Sequence, residues 1–356
     1  MKYNEFRIGL ILIICLFPVL RTERLITIID DPVDIIYLWV NGSDPEWAKK
    51  MQSYDPRTMT KADIAERFVE KNELLLSLRT VELYLPWINK IHIVTDDQYP
   101  NWINLSNPKI NFISHRTIFG NNNSAIFNSN AIHFAIHNIP NLANKFILTD
   151  DDMFWTKHAP KSYYFNGRRP IMPIDFHDRE MSKVFGHKDK CQDNNNIAVF
   201  FHSLFEAVAT VQKKFPDFPM PNYNYGHVAF PYTRELMDQA LSTFPNLKNQ
   251  TTHKFRTCAM IHFQSILLYY ASAIKAADFR KDDKYFVYNM HTCVDVHNKL
   301  LTRKLNETAI CINGCDAFHV KKMLDHFPKS SFEKKLKKKK KKKNNPYEEC
   351  REIHKR

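Results

Sequence analysis

The sequence lacks the motifs that would tie its high positive charge to nucleic-acid binding. Its 356 residues include 51 Lys and Arg against 38 Asp and Glu, which gives a formal net charge of +13. No helix-turn-helix, RNP or zinc-finger pattern accompanies this charge. Nine lysines lie between Lys334 and Lys343, and removing these nine from +13 leaves only +4 for the rest of the chain. Nucleic acid is therefore not expected as a partner.

The lysine-rich C-terminal segment, residues 328–356, is predicted to be a disordered tail. Like charges at this density repel one another and favour an extended, solvated chain. A basic patch that binds anionic membranes or acidic partners is the alternative interpretation.

The sequence also lacks an apolar run long enough to cross a membrane comfortably. Residues 8–20 are apolar, but the run is interrupted by Pro18 and falls short of the roughly 20 residues that a span needs. Because Lys2 and Arg7 precede it, we predict a signal peptide over residues 1–24. No small-x-small cleavage site precedes Arg21, so an uncleaved signal anchor stays open. Both alternatives lead into the secretory pathway, and the Asn-x-Ser/Thr sequons are compatible with it: Asn41, Asn104, Asn122, Asn249 and Asn306.

Zinc sites built from His and Cys are not supported by the spacing of these residues. His291, Cys293 and His297 lack a second ligand pair, and His133 and His137 lack the Glu of a His-Glu-x-x-His site. We interpret both sets as structural. The cysteines beyond the leader are even in number and permit disulfides, whose pairing the sequence does not reveal: Cys191, Cys258, Cys293, Cys311, Cys315 and Cys350.

Periodicity predicts an α/β fold whose sheet is mostly parallel. Strand-like apolar runs at residues 34–40, 91–95 and 146–149 alternate with helical spacings at 72–84 and 131–138. The first run is apolar almost throughout, as in strands buried on both faces of a parallel sheet. This alternation indicates a parallel sheet flanked by helices, with three strands that end in polar turns at the same edge.

The most informative candidate site is the acidic triplet Asp150, Asp151 and Asp152, which follows the third strand. Adjacent carboxylates repel one another, and a hard divalent cation with oxygen ligands is the common way to stabilise them. Mg²⁺ binds through one or two carboxylates plus phosphate oxygens, which a nucleotide-sugar supplies. We therefore predict a Mg²⁺ or Mn²⁺ site, and a solvated acidic turn is the plainer alternative.

A second candidate site lies after the first strand, in the polar turn that contains Asn41, Gly42 and Asp44. Ligands of open α/β sheets bind outside the carboxyl ends of the strands. Gly42 would let the backbone approach a ligand, and Asn41 and Asp44 offer hydrogen bonds to a base, ribose or phosphate. Asp96 follows the second strand in the same way. An ordinary turn is the alternative for residues 41–45.

Taken together, these residues resemble the conserved blocks of the Stealth family of hexose-1-phosphate transferases. Residues 34–47 closely resemble the first block. Short motifs between residues 73 and 154 resemble the second block in order, and they include Glu73, Arg79, Asp96, His115 and the acidic triplet. The resemblance covers almost all of the chain outside the leader and the tail. It predicts a phosphotransferase domain over residues 31–327, with blocks near residues 33–47, 67–170, 222–265 and 308–320.

The matches to the third and fourth blocks are looser. His227 and Arg256 fall in the third, and residues 310–314 resemble the short Cys-Ile-Asn-Asp stretch of the fourth. The chain departs from the family pattern at three positions, because Asp150 stands in place of Asn, Ala229 in place of Pro and Gly314 in place of Asp.

The resemblance implies a Rossmann-like sheet of the nucleotide-sugar transferase type with a helical C-terminal part. It also implies that a UDP-sugar, with N-acetylglucosamine as the expected sugar, gives its sugar-1-phosphate to a hydroxyl of a glycan or glycoprotein and releases UMP. Asp151 and Asp152 would then hold Mg²⁺ or Mn²⁺ with help from Asp150. His227 would act as the base, because imidazole titrates near neutral pH, and Arg256 would contact the transferring phosphate together with the catalytic Asp152.

Contacts to the nucleotide-sugar are assigned to the remaining matched residues at the strand ends and in the blocks: Asn41, Gly42, Asp44, Arg79, Asp96 and Asn313. For Arg79, a structural ion pair explains the residue equally well.

Two other functions remain open from the sequence. A metal-dependent glycosyltransferase would use a similar acidic cluster but would release UDP, and a non-catalytic secretory protein would bind glycans without turnover. The leader predicts a type II membrane protein of the Golgi lumen, or an endoplasmic-reticulum or secreted protein if the leader is cleaved. Contact with a membrane would then run through the N-terminal segment, and oligomer formation is left open.

Overall fold

The computed structural model describes residues 31–54, 68–120, 125–176, 191–193, 196–281, 290–312 and 315–334. The predicted leader, Asn313, Gly314 and the tail beyond Lys334 lie outside the described residues. All the elements given below belong to the compact unit that begins at Pro32. Within the described ranges, none of the helices combines the length and the apolar composition that a membrane span needs.

The strands are short, and in chain order they are β1 (Val33–Leu38), β2 (Ile91–Thr95), β3 (Ile110–Ser114), β4 (Lys145–Asp150), β5 (Met153–Trp155), β6 (Phe165–Asn166), β7 (Arg169–Asp175), β8 (Asn224–Tyr225), β9 (Phe230–Thr233), β10 (Asp278–Lys281) and β11 (Ala309–Cys311). The α-helices are α1 (Pro45–Tyr54), α2 (Glu73–Tyr84), α3 (His115–Phe119), α4 (Ser129–Ala135), α5 (Lys161–Tyr164), α6 (Asn196–Lys214), α7 (Arg234–Thr243), α8 (Phe263–Ala273), α9 (Met290–Leu301) and α10 (Ala317–Leu324). Two 3₁₀ segments, Ile136–Asn138 and Pro245–Thr252, follow α4 and α7.

The central sheet has the strand order β3-β2-β1-β4-β9. β1 pairs in parallel with β2 and β4, β2 pairs in parallel with β3, and β9 runs antiparallel to β4. Side chains of β1 alternate between two apolar clusters, since Ile36 packs with Phe134 of α4 whereas Ile35 and Tyr37 pack with Leu74 of α2. The sheet is therefore buried on both faces. This confirms the predicted α/β fold with a mostly parallel sheet.

The helix α2 shows how the sequence builds one of these layers. Leu74, Leu78 and Val81 recur at three- and four-residue spacings, and all three are buried against the sheet. The helix ends at Tyr84 because Pro86 disfavours a helical conformation in the residue before it. The observed bounds agree with the predicted helix to within one residue at its start.

Two smaller sheets were not predicted. One has the order β10-β7-β6, with β8 also paired to β7, and the other consists of β11 and β5. Strands of two to seven residues that pair over long sequence separations leave little periodic signal. They nonetheless shape the site, because β5 and β11 adjoin the acidic triplet and β8 leads through His227 into β9.

The chain stays packed on the domain beyond residue 327, so the tail boundary predicted there is too early. Ser330 and Phe332 are buried, and the Phe332 carbonyl accepts a 2.6 Å hydrogen bond from the backbone N–H of Asn104. Glu333 pairs with Arg79 at 2.8 Å. These contacts depend on distant residues, which the local lysine-rich composition does not reveal.

Candidate functional site at the carboxyl edge of the sheet

The predicted site residues converge because the parallel strands end at one edge. Leu38 of β1 pairs with Val94 of β2 on one side and with Asp150 of β4 on the other. The turns that carry Asn41 and Asp96 therefore leave the sheet beside the acidic triplet. This register confirms the prediction that three strands end in polar turns at the same edge.

Five acidic residues interact with one another at this edge, and we call them the carboxylate cluster: Glu70, Glu73, Asp150, Asp151 and Asp152. Burial, followed by repulsion from Asp152 and Glu73, raises the pKa of Asp151 well above its usual range. Burial and the Asp150 charge raise the pKa of Asp152 to about 7. Burial and the neighbouring Glu73 likewise raise the pKa of Glu70 to about 7. The cluster is thus short of positive charge.

The chemistry of the cluster fits a hard divalent cation. Asp152 Oδ1 and Glu70 Oε1 are buried and accept no hydrogen bond, although buried carboxylate oxygens normally have a partner. Carboxylate oxygens are the ligands that Mg²⁺ and Mn²⁺ prefer. Among the described residues, no group of three His, Cys, Asp or Glu side chains has a geometry that could hold a metal ion. Any cation here would need further ligands, such as phosphate oxygens or water.

Asp152 is held in place by strand β11. The backbone N–H of Ile312 donates to the Asp152 carbonyl at 2.9 Å, and the Cys311 thiol donates to Asp152 Oδ2 at 3.4 Å. Cys311 is buried and is, among the described cysteines, the one outside the two disulfides. The thiol contact occupies Oδ2, which leaves Oδ1 as the oxygen without a hydrogen bond.

Asp150 connects the carboxylate cluster to a second set of side chains, which we call the imidazole–guanidinium group: His133, His227, His262 and Arg256. Burial lowers the pKa of His133 to about 4, and it holds the pKa of His262 well below its usual range. Both rings are therefore neutral at pH 7. Burial also lowers the pKa of Arg256, which lies near Tyr225 and Asp150.

His227 reaches this edge because β9 runs antiparallel to β4. The ladder of the two strands ends with Phe230 opposite Leu148, and from there the chain runs back to His227 on one side and on to Asp151 on the other. The ring of Tyr225 lies 4.7 Å from that of His262 and 6.3 Å from that of His227. The structure thus brings together the predicted catalytic residues Asp152, His227 and Arg256 at one edge.

Asn41, Asp44 and Asp96, which were predicted to bind the nucleotide, lie at this edge, but their side chains already have partners. Asp44 accepts hydrogen bonds from Gln98 Nε2 at 2.9 Å and from the first turn of α1, which lowers its pKa. Asp96 accepts from Lys50 Nζ at 2.7 Å. Asn41 Oδ1 accepts from the backbone N–H of Ser43 at 3.0 Å.

Gly42 is needed for packing within the protein. A Cβ at this position would lie 2.5 Å from the Phe68 Cβ and 2.7 Å from its carbonyl oxygen. The close approach predicted for Gly42 therefore occurs to the Phe68 backbone. The Gly42 N–H donates to this same carbonyl at 2.7 Å.

Arg79 lies in a structural ion pair, which supports the alternative interpretation of this residue. Its guanidinium forms a bidentate contact with Glu333 at 2.8 and 2.9 Å, and it donates to the carbonyls of Leu324 and Phe327 at the end of α10. These contacts use the fork of donors that a phosphate would otherwise bind.

Several residues of the site were missed by the sequence analysis. His133 was interpreted as structural, and Glu70, His262 and Tyr225 were not singled out. Glu73 was noted only as part of the second block. The residue types and spacings do not indicate that these side chains are buried. They come together at the carboxyl edge of the sheet only in the folded protein.

Two family models match parts of this chain. Residues 31–59 match the model of Stealth protein conserved region 1, and residues 67–171 match that of conserved region 2. The chain belongs to the Stealth family. The matched regions of this Stealth protein contain β1, β2, β4 and the whole carboxylate cluster, whereas His227 and Arg256 lie outside them.

Bacterial relatives of this Stealth chain carry phosphotransferase names. The exopolysaccharide phosphotransferase SCO6021 of Streptomyces coelicolor is 31% identical over 88% of this chain and 58% of its own length. The capsular polysaccharide phosphotransferase LcbA of Aeromonas hydrophila is 27% identical over 82% of this chain and 81% of its own length. The capsular polysaccharide phosphotransferase fcs1 of Haemophilus influenzae is 39% identical, but over only 38% of each chain. This chain therefore spans less than two thirds of the length of fcs1 and of SCO6021.

One solved structure, galactosyltransferase LgtC with donor and acceptor sugar analogues, aligns with 83% of this chain and 97% of its own. The TM-score is 0.40 at 8% identity, which is too low to carry an argument about the site.

Proposed function

We propose that this protein transfers a sugar-1-phosphate from a UDP-sugar to a hydroxyl of a glycan acceptor, forming a phosphodiester and releasing UMP. N-acetylglucosamine is the proposed sugar. The phosphotransferase names of the bacterial relatives support the reaction class. The observation that carries the proposal is the meeting, at Asp150, of the carboxylate cluster with the imidazole–guanidinium group.

Phosphoryl transfer needs both of these sets of side chains. The acceptor oxygen forms a bond to the sugar-linked phosphorus, and the bond from that phosphorus to the oxygen of UMP breaks. The proton of the acceptor hydroxyl passes to His227, and its proximity to His262 in the imidazole–guanidinium group supports this role. Arg256 contacts the oxygens of the transferring phosphate, where its planar fork of donors fits two oxygens at once.

The cation proposed for this reaction is Mg²⁺ or Mn²⁺, held by Asp151 and Asp152 with help from Asp150. When bound, it neutralises charge on the diphosphate and on the leaving UMP. The buried Asp152 Oδ1 without a hydrogen bond supports this assignment. Glu70 and Glu73 add negative charge beside it and thereby favour cation binding.

Binding of the nucleotide by Asn41, Gly42, Asp44 and Asp96 remains a prediction. The hydrogen bonds that Asp44 and Asp96 already accept favour a supporting role, in which the two carboxylates hold the shape of the turns. We also propose that the reaction takes place in the lumen of the secretory pathway. The two disulfides, Cys191–Cys258 and Cys293–Cys315, support an oxidising compartment.

The nucleotide product tests the proposal. The full chain is given UDP-N-acetylglucosamine, Mn²⁺ and an α-mannoside, and the released nucleotide is identified by chromatography. We expect UMP from the wild type and a loss of at least about a hundredfold in Asp152→Ala and His227→Ala. The exposed residues Asp238 and His158 provide matched controls, so Asp238→Ala and His158→Ala should keep full activity.

Release of UDP in place of UMP would make the protein a glycosyltransferase, because the attack would then occur at the anomeric carbon. Glycan binding without turnover for any UDP-sugar would favour the non-catalytic alternative.

A further inference from the structure

We propose that three aromatic rings beside the site, those of Phe176, Tyr223 and Phe279, form a stacking surface for a pyranose ring of the acceptor glycan. We call these rings the aromatic platform. The identification of that glycan as the acceptor rests on the proposed function, whereas the sugar-binding surface itself does not.

The platform is a contiguous and partly exposed set of rings. The ring of Tyr223 lies 6.3 Å from that of Phe176 and 6.1 Å from that of Phe279. Phe176 is 48% exposed and Phe279 is 38% exposed, although both are large apolar side chains. Single exposed apolar residues are common on proteins, but here two exposed rings both contact the ring of Tyr223 and form one patch that a ligand can cover.

The central ring of the platform is fixed before any ligand binds. The Tyr223 hydroxyl hydrogen-bonds to Ser272 Oγ at 2.7 Å, and the Tyr223 carbonyl accepts from the Tyr269 hydroxyl at 3.2 Å. The ring of Tyr269 also packs against that of Tyr223 at 6.0 Å. A ligand that stacks here loses little free energy to ordering of the protein.

The platform continues directly into the proposed active site. In the antiparallel pair of β7 and β8, Ile174 pairs with Tyr225, so Phe176 and Tyr223 come level two residues further from the site. Tyr223 and Tyr225 are thus about 7 Å apart along the strand. The ring of Tyr225 lies 4.7 Å from that of His262, within the imidazole–guanidinium group. Tyr225 therefore links the platform to the imidazole–guanidinium group.

The size and surroundings of the platform favour a sugar over a protein partner. Less than half of each ring is exposed, and a ring residue buries roughly 200 Å² at most, so the patch is far below the ~800 Å² that a stable protein interface buries on each partner. A polar side chain borders it, since Lys281 lies two residues after Phe279 on the same strand and therefore on the same face. A pyranose offers an apolar face for the rings and hydroxyls for such a polar border.

Glycan binding to the full chain tests the platform without any turnover. Saturation-transfer NMR with α-mannotriose and maltotriose, in the absence of nucleotide, is expected to detect binding of at least one of them. Phe176→Ala and Phe279→Ala should each weaken it about tenfold, whereas Phe279→Tyr should retain it. Leu105→Ala is the matched control, because Leu105 is 58% exposed and precedes the opposite, amino end of β3. Unchanged affinity in both alanine variants, or no binding of either sugar to the wild type, would overturn the platform.

Kinetics with varied acceptor concentration test the aromatic platform independently of the proposed function. We expect the acceptor KM to rise about tenfold in Phe279→Ala with kcat and the donor KM unchanged. UMP release with an unchanged acceptor KM in both alanine variants would overturn the platform and leave the transferase intact. Ring-dependent glycan binding in a chain that never releases UMP would retain the sugar site and overturn the proposed function.

Discussion

Asp152 is the residue that we propose both as a cation ligand and as a catalytic group. Its carboxyl group is shielded from solvent, Asp150 repels it, and the Cys311 thiol donates a hydrogen bond to one of its oxygens. A carboxylate in this setting holds its proton at a pH where an exposed one would be ionised. A bound divalent cation would reverse this preference, because it favours the ionised form.

The raised pKa of Asp152 predicts that the cation binds more tightly as pH rises. The pKa is about 7 in the folded protein against an ordinary 3.8, so below about pH 7 a cation must displace a proton. We expect Mn²⁺ affinity to fall about tenfold per pH unit below that value for each proton released. Isothermal titration between pH 5.5 and 8 measures the affinity. Asp152→Asn should remove most of the binding, and an affinity that is flat with pH would contradict the assignment.

In the protein without a cation, the raised pKa of Asp152 makes the folded state less stable as pH rises. Between the ordinary pKa of 3.8 and about 7 the folded state holds a proton that the unfolded chain has lost, so this group's contribution to stability decreases as pH rises through that window. Mn²⁺ should therefore raise the melting temperature more at pH 8 than at pH 6.

Cys311 should act as a positioning residue for Asp152. Replacing it with Ala removes the donor to Oδ2 and lets the carboxylate turn, so we expect Mn²⁺ affinity to fall roughly three- to tenfold. Cys311→Ser keeps a donor and should retain most of the affinity. In an Asp152→Asn background the Ala substitution should have no further effect on binding. An equal loss in that background would show that Cys311 acts through core packing alone.

At the scale of elements, contacts between segments far apart in the chain stabilise the sheet and its flanking helices. Arg79 of α2 ties the end of α10 and the segment at 330–334 to the domain, through Glu333 and two backbone carbonyls. Asp34 has a similar role beneath the sheet, where it accepts from His92, Asn89 and the Ala143 N–H, and these partners lower its pKa despite its burial.

Arg79→Ala should destabilise the protein without weakening donor binding. Both members of the ion pair are mostly buried, so removing the guanidinium leaves the Glu333 carboxylate without its cation and takes one donor from each of the Leu324 and Phe327 carbonyls, at a cost of about 3 kcal/mol in the free energy of unfolding. Urea unfolding measures this change. Arg116→Ala is the control, because its ion pair with Asp97 is exposed and should be worth less than about 1 kcal/mol. If folded Arg79→Ala protein had a raised KM for the UDP-sugar, the predicted contact of Arg79 with the nucleotide-sugar would be supported instead.

At the scale of the whole molecule, the two disulfides tie distant parts of the chain to the site. Cys191–Cys258 spans a separation of 67 residues and ends two residues after Arg256, and Cys293–Cys315 spans 22 residues and ends four residues after Cys311. Closing loops of this length removes conformational entropy from the unfolded chain.

Loss of the longer disulfide should affect both stability and turnover. We expect Cys191→Ser with Cys258→Ser to lower the free energy of unfolding by about 2–4 kcal/mol. Because the segment that carries Arg256 loses its tether, kcat should fall more than the donor KM rises. Urea unfolding and the UMP assay measure the two effects. Unchanged kcat in the folded double variant would show that Arg256 is positioned without this disulfide.

Local patterns in the sequence are sufficient to predict the parallel core and to mark the acidic triplet as its candidate site. Continuous apolar runs in β1, β2 and β4 and the helical spacing of α2 are local patterns that burial on both faces of a sheet requires. The acidic triplet at the end of β4 is also local, so its place at the carboxyl edge follows from the strand alone.

The side chains that meet this triplet are brought to it by the tertiary fold. Glu70, His133, His262 and Tyr225 have no local signature, because burial and electrostatic coupling depend on neighbours far away in the chain. The same holds for the disulfide pairing and for the pairing of β5 with β11, which brings Cys311 to Asp152. Arg79 shows the opposite case, in which a residue predicted to bind the ligand forms a structural ion pair. Its partner Glu333 lies 254 residues away, and no local pattern distinguishes an ion pair from a phosphate contact.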